Sequence, residues 1–189
     1  MKPIQQYIVV FLWIILPFSA YNQEFGVQVG TQFSMNLNQF QNAEKKPRLG
    51  WHLGMYYSTL HPVENLQVEF QAIKESIKVE EVFNLDLYYT RLAFLYKRKI
   101  TSKWHFLAGV QFGLFMGGDF HWEEKIADSY SIHQTIISSY KLDLGLPFGF
   151  ILDLDRVKLA LKTHLALINR EDNYQNASFG VSLYYTGYR

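Results

Sequence analysis

The chain has no cysteine, only 5 prolines in 189 residues, and, beyond its first twenty residues, not even a short helix-like apolar run. The missing cysteine excludes disulfides, thiolate metal sites, a thiol nucleophile and a lipidated N-terminal cysteine together. The missing apolar helices mean that, if this protein crosses a membrane, it does so with strands. Charge of either sign is not in excess: the formal net charge is +1, which points to no nucleic acid and no strongly acidic partner. No glycine-rich phosphate loop opens a helix. Aromatic residues, by contrast, make up 17% of the chain, and hydrophobic residues 49%. Rings with an apolar body and a polar tip suit a surface that passes from apolar to wet surroundings. The length suits one domain with a sizeable core.

The N-terminus carries Lys2, an uninterrupted apolar run of ten from Tyr7 to Leu16, then Pro17, Ser19 and Ala20. That is the layout of a secretory signal peptide, too short for the ~20 residues of a spanning helix. Residues 1–22 are expected to be the signal, cut between 20 and 23, with residues 23–189 as the exported domain.

The mature part reads as strands. In FGVQVGTQFSMNL, residues 25–37, the odd positions are apolar except Thr31, and the even ones are glycine or neutral polar residues. A period of two gives a strand with two unlike faces. The pattern recurs from Leu49 to Ser58, Leu66 to Ala72, Phe83 to Tyr96, Trp104 to Gly117, Tyr140 to Leu152, Val157 to Leu167 and Ser178 to Tyr185. Around Tyr88 to Tyr96 both faces are apolar, so the phase of the fourth strand stays open. Eight strands with tight links near 59–65, 98–103 and Asp153–Asp155, and linkers at 38–48, 78–82, 118–139 and 169–176, predict an all-β fold. It is an eight-stranded antiparallel up-and-down transmembrane β-barrel, with the second set of linkers outside.

Alternation alone also fits a soluble exported barrel that binds a small apolar ligand inside. Three features favour the membrane. Thirteen residues, tilted ~40° at ~3.3 Å each, rise ~33 Å, enough for an apolar band of ~25 Å with its girdles. The polar faces are rich in glycine and amides rather than in Lys and Glu, as a narrow lumen requires. Bulky aromatics sit near strand ends: Trp51, Tyr56, Tyr57, Tyr88, Tyr89, Trp104, Tyr140, Tyr184, Tyr185 and Tyr188 are girdle candidates.

Residues 25–189 resemble the PorT-type outer-membrane β-barrel domain of Bacteroidota. FGVQVGTQFSMNL stands at its glycine-rich first strand and PRLGWHLGMYYSTLHPVENLQVEFQ at its second and third, with Leu66-Gln67 and Glu69 in the Leu-Gln-x-Glu position. LDLYYTRLAFLYKRK is similar to its Tyr-Leu-Glu-Ile-Pro segment, with Arg91 and Ala93 in place of Glu and Pro, and WHFLAGVQFGLFMGG to its fifth strand. The resemblance implies an eight-stranded outer-membrane barrel and transfers no catalytic residue.

Glu69 and Arg91 lie at similar distances from the turn near 79–82, so they are expected to meet across that hairpin as a lumenal ion pair. Gln28, Gln32, His105, Gln111, Lys141, Asp143, Lys162 and His164 are expected to extend the polar network, with Asp86 and Lys158 as further members, because buried charge needs partners. Acyl transfer or hydrolysis on lipid A would need a nucleophile, base and acid together; Ser58, His52 and Glu69 have the types, but Ser58 and His52 lie ~20 Å apart along one strand. The 117–134 segment holds His121, Glu123, Glu124, Asp128 and His133 without a compact metal spacing, and is read as a solvated loop. Phe120, Trp122 and Tyr130 within it are candidate external contacts. No catalytic residue, metal or cofactor is expected. The expected partners are outer-membrane lipid and an envelope or extracellular protein at the 118–139 loop. The expected role is structural or interactive, in the outer membrane of a Gram-negative envelope, with a filled lumen and no open channel.

Overall fold

The period-two segments become strands throughout the computed structural model, which describes residues 23–36, 45–59, 64–79, 83–126, 129–137, 142–167 and 176–188. Nine strands follow one another: β1 (Gln23–Asn36), β2 (Lys45–Thr59), β3 (Glu64–Val79), β4 (Phe83–Lys99), β5 (Trp104–Ile126), β6 (Ser129–Ile137), β7 (Leu142–Leu154), β8 (Val157–Ala166) and β9 (Asn176–Tyr188). All pairings are antiparallel, and β9 returns to pair with β1, so the sheet closes. The outer half of β5 pairs with β6 and its inner half with β7. β6 and β7 are therefore successive parts of one stave, and the barrel has eight.

The 118–139 segment, expected as a loop, is strand on both sides of Ala127-Asp128: Gly118 to Ile126 pairs with Ile137 to Ser129. Its mixed polar sequence hid this, because a hairpin prolonged beyond the apolar band is under no pressure to alternate. At the opposite end the connections are short. Asp153 donates its backbone N–H to Lys103 at 2.8 Å, tying neighbouring turns together. The expected tight turn at Asp153–Asp155 is a two-residue hairpin in which Asp155 has φ 74°.

Register fixes the barrel's size. Stepping from Phe25 through Tyr57, Val68, Phe94, Val110, Leu146, Leu165 and Ala177 returns to β1 at Met35, ten residues further on (35 − 25), which is the shear.

The facing is the inverse of a soluble barrel. Val29 is 51% exposed and Gln28 only 1%. Along β5 the outward row from Trp104 to Met116 covers twelve residue steps (116 − 104), which at ~3.3 Å and ~40° tilt is ~30 Å of apolar wall. The phase of β4 is settled by its neighbours: Leu87, Tyr89, Arg91, Ala93, Leu95 and Lys97 point inward, and Asp86 and Tyr88 lie on the outer face. A strand apolar on both sides carries no polarity signal, so only the cross-strand register decides it. Leu87 thus joins Ile73, Tyr89 and Phe115 in an internal apolar cluster.

The glycines of β1 have a packing reason. Gly26 and Gly30 sit opposite Tyr56 and His52 on β2. A Cβ on Gly26 would lie 2.6 Å from the Tyr56 ring, and one on Gly30 2.5 Å from the His52 ring and 2.2 Å from the Val181 carbonyl oxygen. Each ring lies over the glycine beside it. Gly30→Ala is expected to destabilise the folded barrel by about 1–3 kcal/mol, the usual cost of overpacking, measured by urea unfolding in bilayers; unchanged stability would show that the ring moves freely.

Candidate functional site: the charged lumen

The inward faces bring charge and amides from every side into an enclosed space. In the middle, the Glu69 carboxylate of β3 is fully enclosed and accepts from four donors. Gln67 and Tyr184 donate to Oε1 at 2.7 and 2.6 Å, and Gln71 and Lys162 to Oε2 at 2.7 and 2.8 Å. Lys162 also donates to Gln28 at 3.3 Å and lies 5.2 Å from the centre of the Tyr184 ring. A carboxylate held by this many charge-assisted bonds is compatible with burial, where an isolated one is not.

Two further tiers flank it. Toward the short turns, Lys158 of β8 bonds Glu24 of β1 and lies 3.8 Å from Asp153. Tyr56 donates to the same Glu24 oxygen at 2.5 Å and Thr186 at 3.1 Å. Toward the β5–β6 hairpin, Arg91 bonds Glu75 and reaches Asp143 at 3.5 Å, while Gln32 donates to Glu75 at 3.3 Å. The Arg91 guanidinium also stacks 5.0 Å from the Tyr89 ring centre. Apolar side chains fill the rest: Leu95, Leu107 and Ile151 pack with Tyr56 and Tyr184 against the β4–β5–β7 wall.

Of the expected network, Gln28, Gln32, Glu69, Arg91, His105, Gln111 and His164 are buried on the inner face, and Asp143 and Lys162 are half-buried there. Lys141 lies outside the described residues. The Glu69–Arg91 pair does not form. Register places Gln71 opposite Arg91 and Ala93 opposite Glu69, and each charge finds a nearer partner, Lys162 for one and Glu75 for the other. Asp86 is on the outer face, bonded to Lys74 at 2.8 Å and Ser76 at 2.6 Å.

Three girdle candidates are corrected as well: Tyr56, Tyr89 and Tyr184 are lumenal, whereas Trp51, Trp104, Tyr185 and Tyr188 are exposed outside. Tyr57 and Tyr88 are half-buried on the outer face, and Tyr140 lies outside the described residues. Phe120, Trp122 and Tyr130 belong to β5 and β6, and their side chains lie outside the described ones, as do those of His121, Glu123, Glu124 and His133. Asp128 lies outside the described residues altogether. Sequence reasoning missed Glu24 and Glu75. The signal was phase, since Glu24 continues the even row of Gly26 and Gln28, and Glu75 the odd row of Glu69 and Gln71.

Ser58, His52 and Glu69 have separate partners. The Ser58 hydroxyl bonds the Thr59 carbonyl at 3.3 Å, His52 Nε2 contacts Ser182 Oγ at 2.9 Å, and Glu69 is occupied by its four donors. No acid orients His52, whose Nδ1 has no protein partner. The free space at mid-lumen is ≈30 Å³, lined by His52, Gln111, Lys162, His164 and Ser182 among others. Both ring nitrogens of His164 and the Gln111 amide nitrogen are without a protein partner there. That is room for a few waters at most and a poor site for an apolar ligand.

No protein-family model and no curated protein matches the chain. Among solved structures, the barrel is similar to Ail, the attachment invasion locus protein of Yersinia pestis. The TM-score is 0.53 at 12% identity, over 87% of this chain and 99% of that one. Ail in complex with the heparin analogue sucrose octasulfate gives 0.52. Neisserial surface protein A gives 0.53 at 14% identity, over 85% of this chain and 96% of that one. The fold is that of the eight-stranded outer-membrane barrels.

Removing the Glu69 charge leaves the half-buried Lys162 without its ion-pair partner. Glu69→Gln is expected to cost about 3–5 kcal/mol, and Lys162→Met in the same chain to recover a large part of it. A double-mutant cycle in reversible urea unfolding measures the coupling, and additive losses would show that the two residues do not act as a pair.

Proposed function

We propose that this chain is an exported outer-membrane barrel of a Gram-negative envelope, with a filled lumen and a structural or interactive rather than catalytic role. The observation that carries the reading is the reversed polarity of the wall: the apolar row faces outward over a belt of membrane height and the charged row is enclosed. Such a surface is stable against lipid and unstable against water. In this reading residues 1–22 direct export and are removed. The short turns then face the periplasm and the β5–β6 hairpin stands outside, where Phe120, Trp122 and Tyr130 contact an envelope or extracellular partner.

The PorT-type kinship, carried by residues 25–37, 47–71, 85–99 and 104–118, is part of the same proposal, and with it an accessory role in secretion or assembly. The soluble barrel with an apolar cavity is disfavoured, since the interior is lined by ion pairs and amides. A lipid A enzyme is disfavoured because Ser58, His52 and Glu69 have separate partners.

The test is direct. Folded protein should migrate differently on a detergent gel before and after boiling, fractionate with the outer membrane, and give no stable conductance in planar bilayers. Val29→Arg, in mid-belt, should cost about 2–4 kcal/mol, while Gln28→Cys should resist a bulky membrane-impermeant thiol reagent. Extraction in buffer without detergent would refute membrane integration, and a large stable conductance would refute the filled lumen.

A further inference from the structure

Among the described side chains, the two rims of the barrel differ in charge. On the hairpin side, Lys74 is bonded to Asp86, and Asp119 accepts from Tyr88 at 3.3 Å, so cations and acids are interleaved. On the short-turn side, Arg98 and Lys99 at the end of β4, Lys103 of the β4–β5 connection and Arg156 of the β7–β8 turn are all exposed. None of the four has an ion-pair partner among the described residues. Among the described side chains Asp155 is the exposed acid at this rim, and Asp153 turns inward to Lys158; the side chain of Glu64, opposite Arg98 in register, lies outside them.

These cations stand on ordered backbone. Ile100 and Thr101 donate their N–H groups to the Trp104 carbonyl at 2.9 and 3.1 Å, and the Thr101 hydroxyl oxygen accepts from the Trp104 N–H at 3.1 Å. The Asp153 N–H to the Lys103 carbonyl joins this turn to the next, and the Thr186 N–H to the Arg156 carbonyl, also 2.8 Å, joins that turn to β9. Beside the charges lie exposed apolar or amphipathic side chains, Ile100, Trp104, Leu154 and Tyr188. A soluble anion needs only the charges. A row of cations just beyond a row of exposed aromatic and aliphatic groups matches a lipid, whose phosphate and acyl chains are stacked in that order.

We infer that this rim is a docking surface for anionic glycerophospholipid of the adjoining leaflet, with Arg98, Lys99, Lys103 and Arg156 meeting the phosphates and Ile100 and Trp104 entering the acyl boundary. The inference rests on the membrane reading above. Fixed cations held on tied turns bias which headgroups surround this end and set the depth of the barrel.

The experiment uses the purified full chain refolded into phosphatidylcholine vesicles with and without phosphatidylglycerol. The preference of spin-labelled phosphatidylglycerol over phosphatidylcholine at the protein boundary is then read. Wild type should prefer the anionic lipid about fivefold or more, as expected for one or more Lys or Arg at a charged surface, and lose the preference at high salt. Arg98→Gln/Lys99→Gln/Lys103→Gln/Arg156→Gln should bring the ratio close to one with the folded fraction kept. The milder Lys99→Gln/Lys103→Gln should lower it part of the way, and gives the answer if the fourfold variant folds poorly. Lys74→Gln on the other rim should leave it unchanged. Equal ratios for wild type and the rim variants, or an equal fall with Lys74→Gln, would overturn the inference while leaving the membrane barrel intact. Failure to insert into either vesicle would overturn the membrane reading and the inference with it.

Discussion

A carboxylate shut away from water has to be met by donors on every side, and the arrangement around Glu69 shows how much of this barrel follows from that requirement. Its four donors come from β3, β8 and β9, strands far apart in sequence. They converge only if the sheet closes with the observed shear, because a one-residue slip would turn Lys162 or Tyr184 out to the apolar side. The same holds for Glu24, which needs Lys158 across the β1–β9–β8 seam, and for Arg91, which draws Glu75 from the adjacent β3 and Asp143 from β7, beyond β5. Buried pairs of this kind add little net stability compared with an apolar core. Their effect is to penalise every wrong register heavily, which a wall of interchangeable valines, leucines and phenylalanines cannot do by itself.

The contents of the lumen also bound what the protein does. Eight staves enclose barely enough room for their own side chains, and here that room holds three tiers of ion pairs with apolar clusters beside them. About 30 Å³ is left at mid-lumen. Transport through the barrel would require breaking several buried charge pairs at once. In the proposed reading function belongs to the rims and the outer wall, and among the described residues the two rims are chemically unlike: one carries the prolonged β5–β6 hairpin and interleaved charges, the other a cationic edge beside exposed rings.

Much of this was legible in the residues. The even row of β1, from Gly26 to Ser34, announced the inner face, and the same alternation places Gln111 of β5 and His164 of β8 on that face. Where the reading failed, the reasons differ. Tyr56 and Tyr184 were assigned to the girdle by residue type although their phase already put them inside; a buried tyrosine whose hydroxyl meets a carboxylate looks, in sequence, like one at an interface. The β5–β6 hairpin was read as loop because a strand prolonged beyond the apolar belt is under no pressure to alternate. Pairing Glu69 with Arg91 assumed that adjacent strands supply partners, whereas Lys162 approaches across the lumen.

By itself, then, the sequence determined that the chain makes long strands with one apolar and one polar face, because a side-chain period of two is a local property of extended backbone. It also determined which residues share a face wherever the two rows differ in polarity. Closure, shear, the phase of β4 and the identity of every ion pair were decided only by tertiary structure. Each depends on the distance between residues that are neighbours in the barrel and strangers along the chain, and no local pattern encodes that distance.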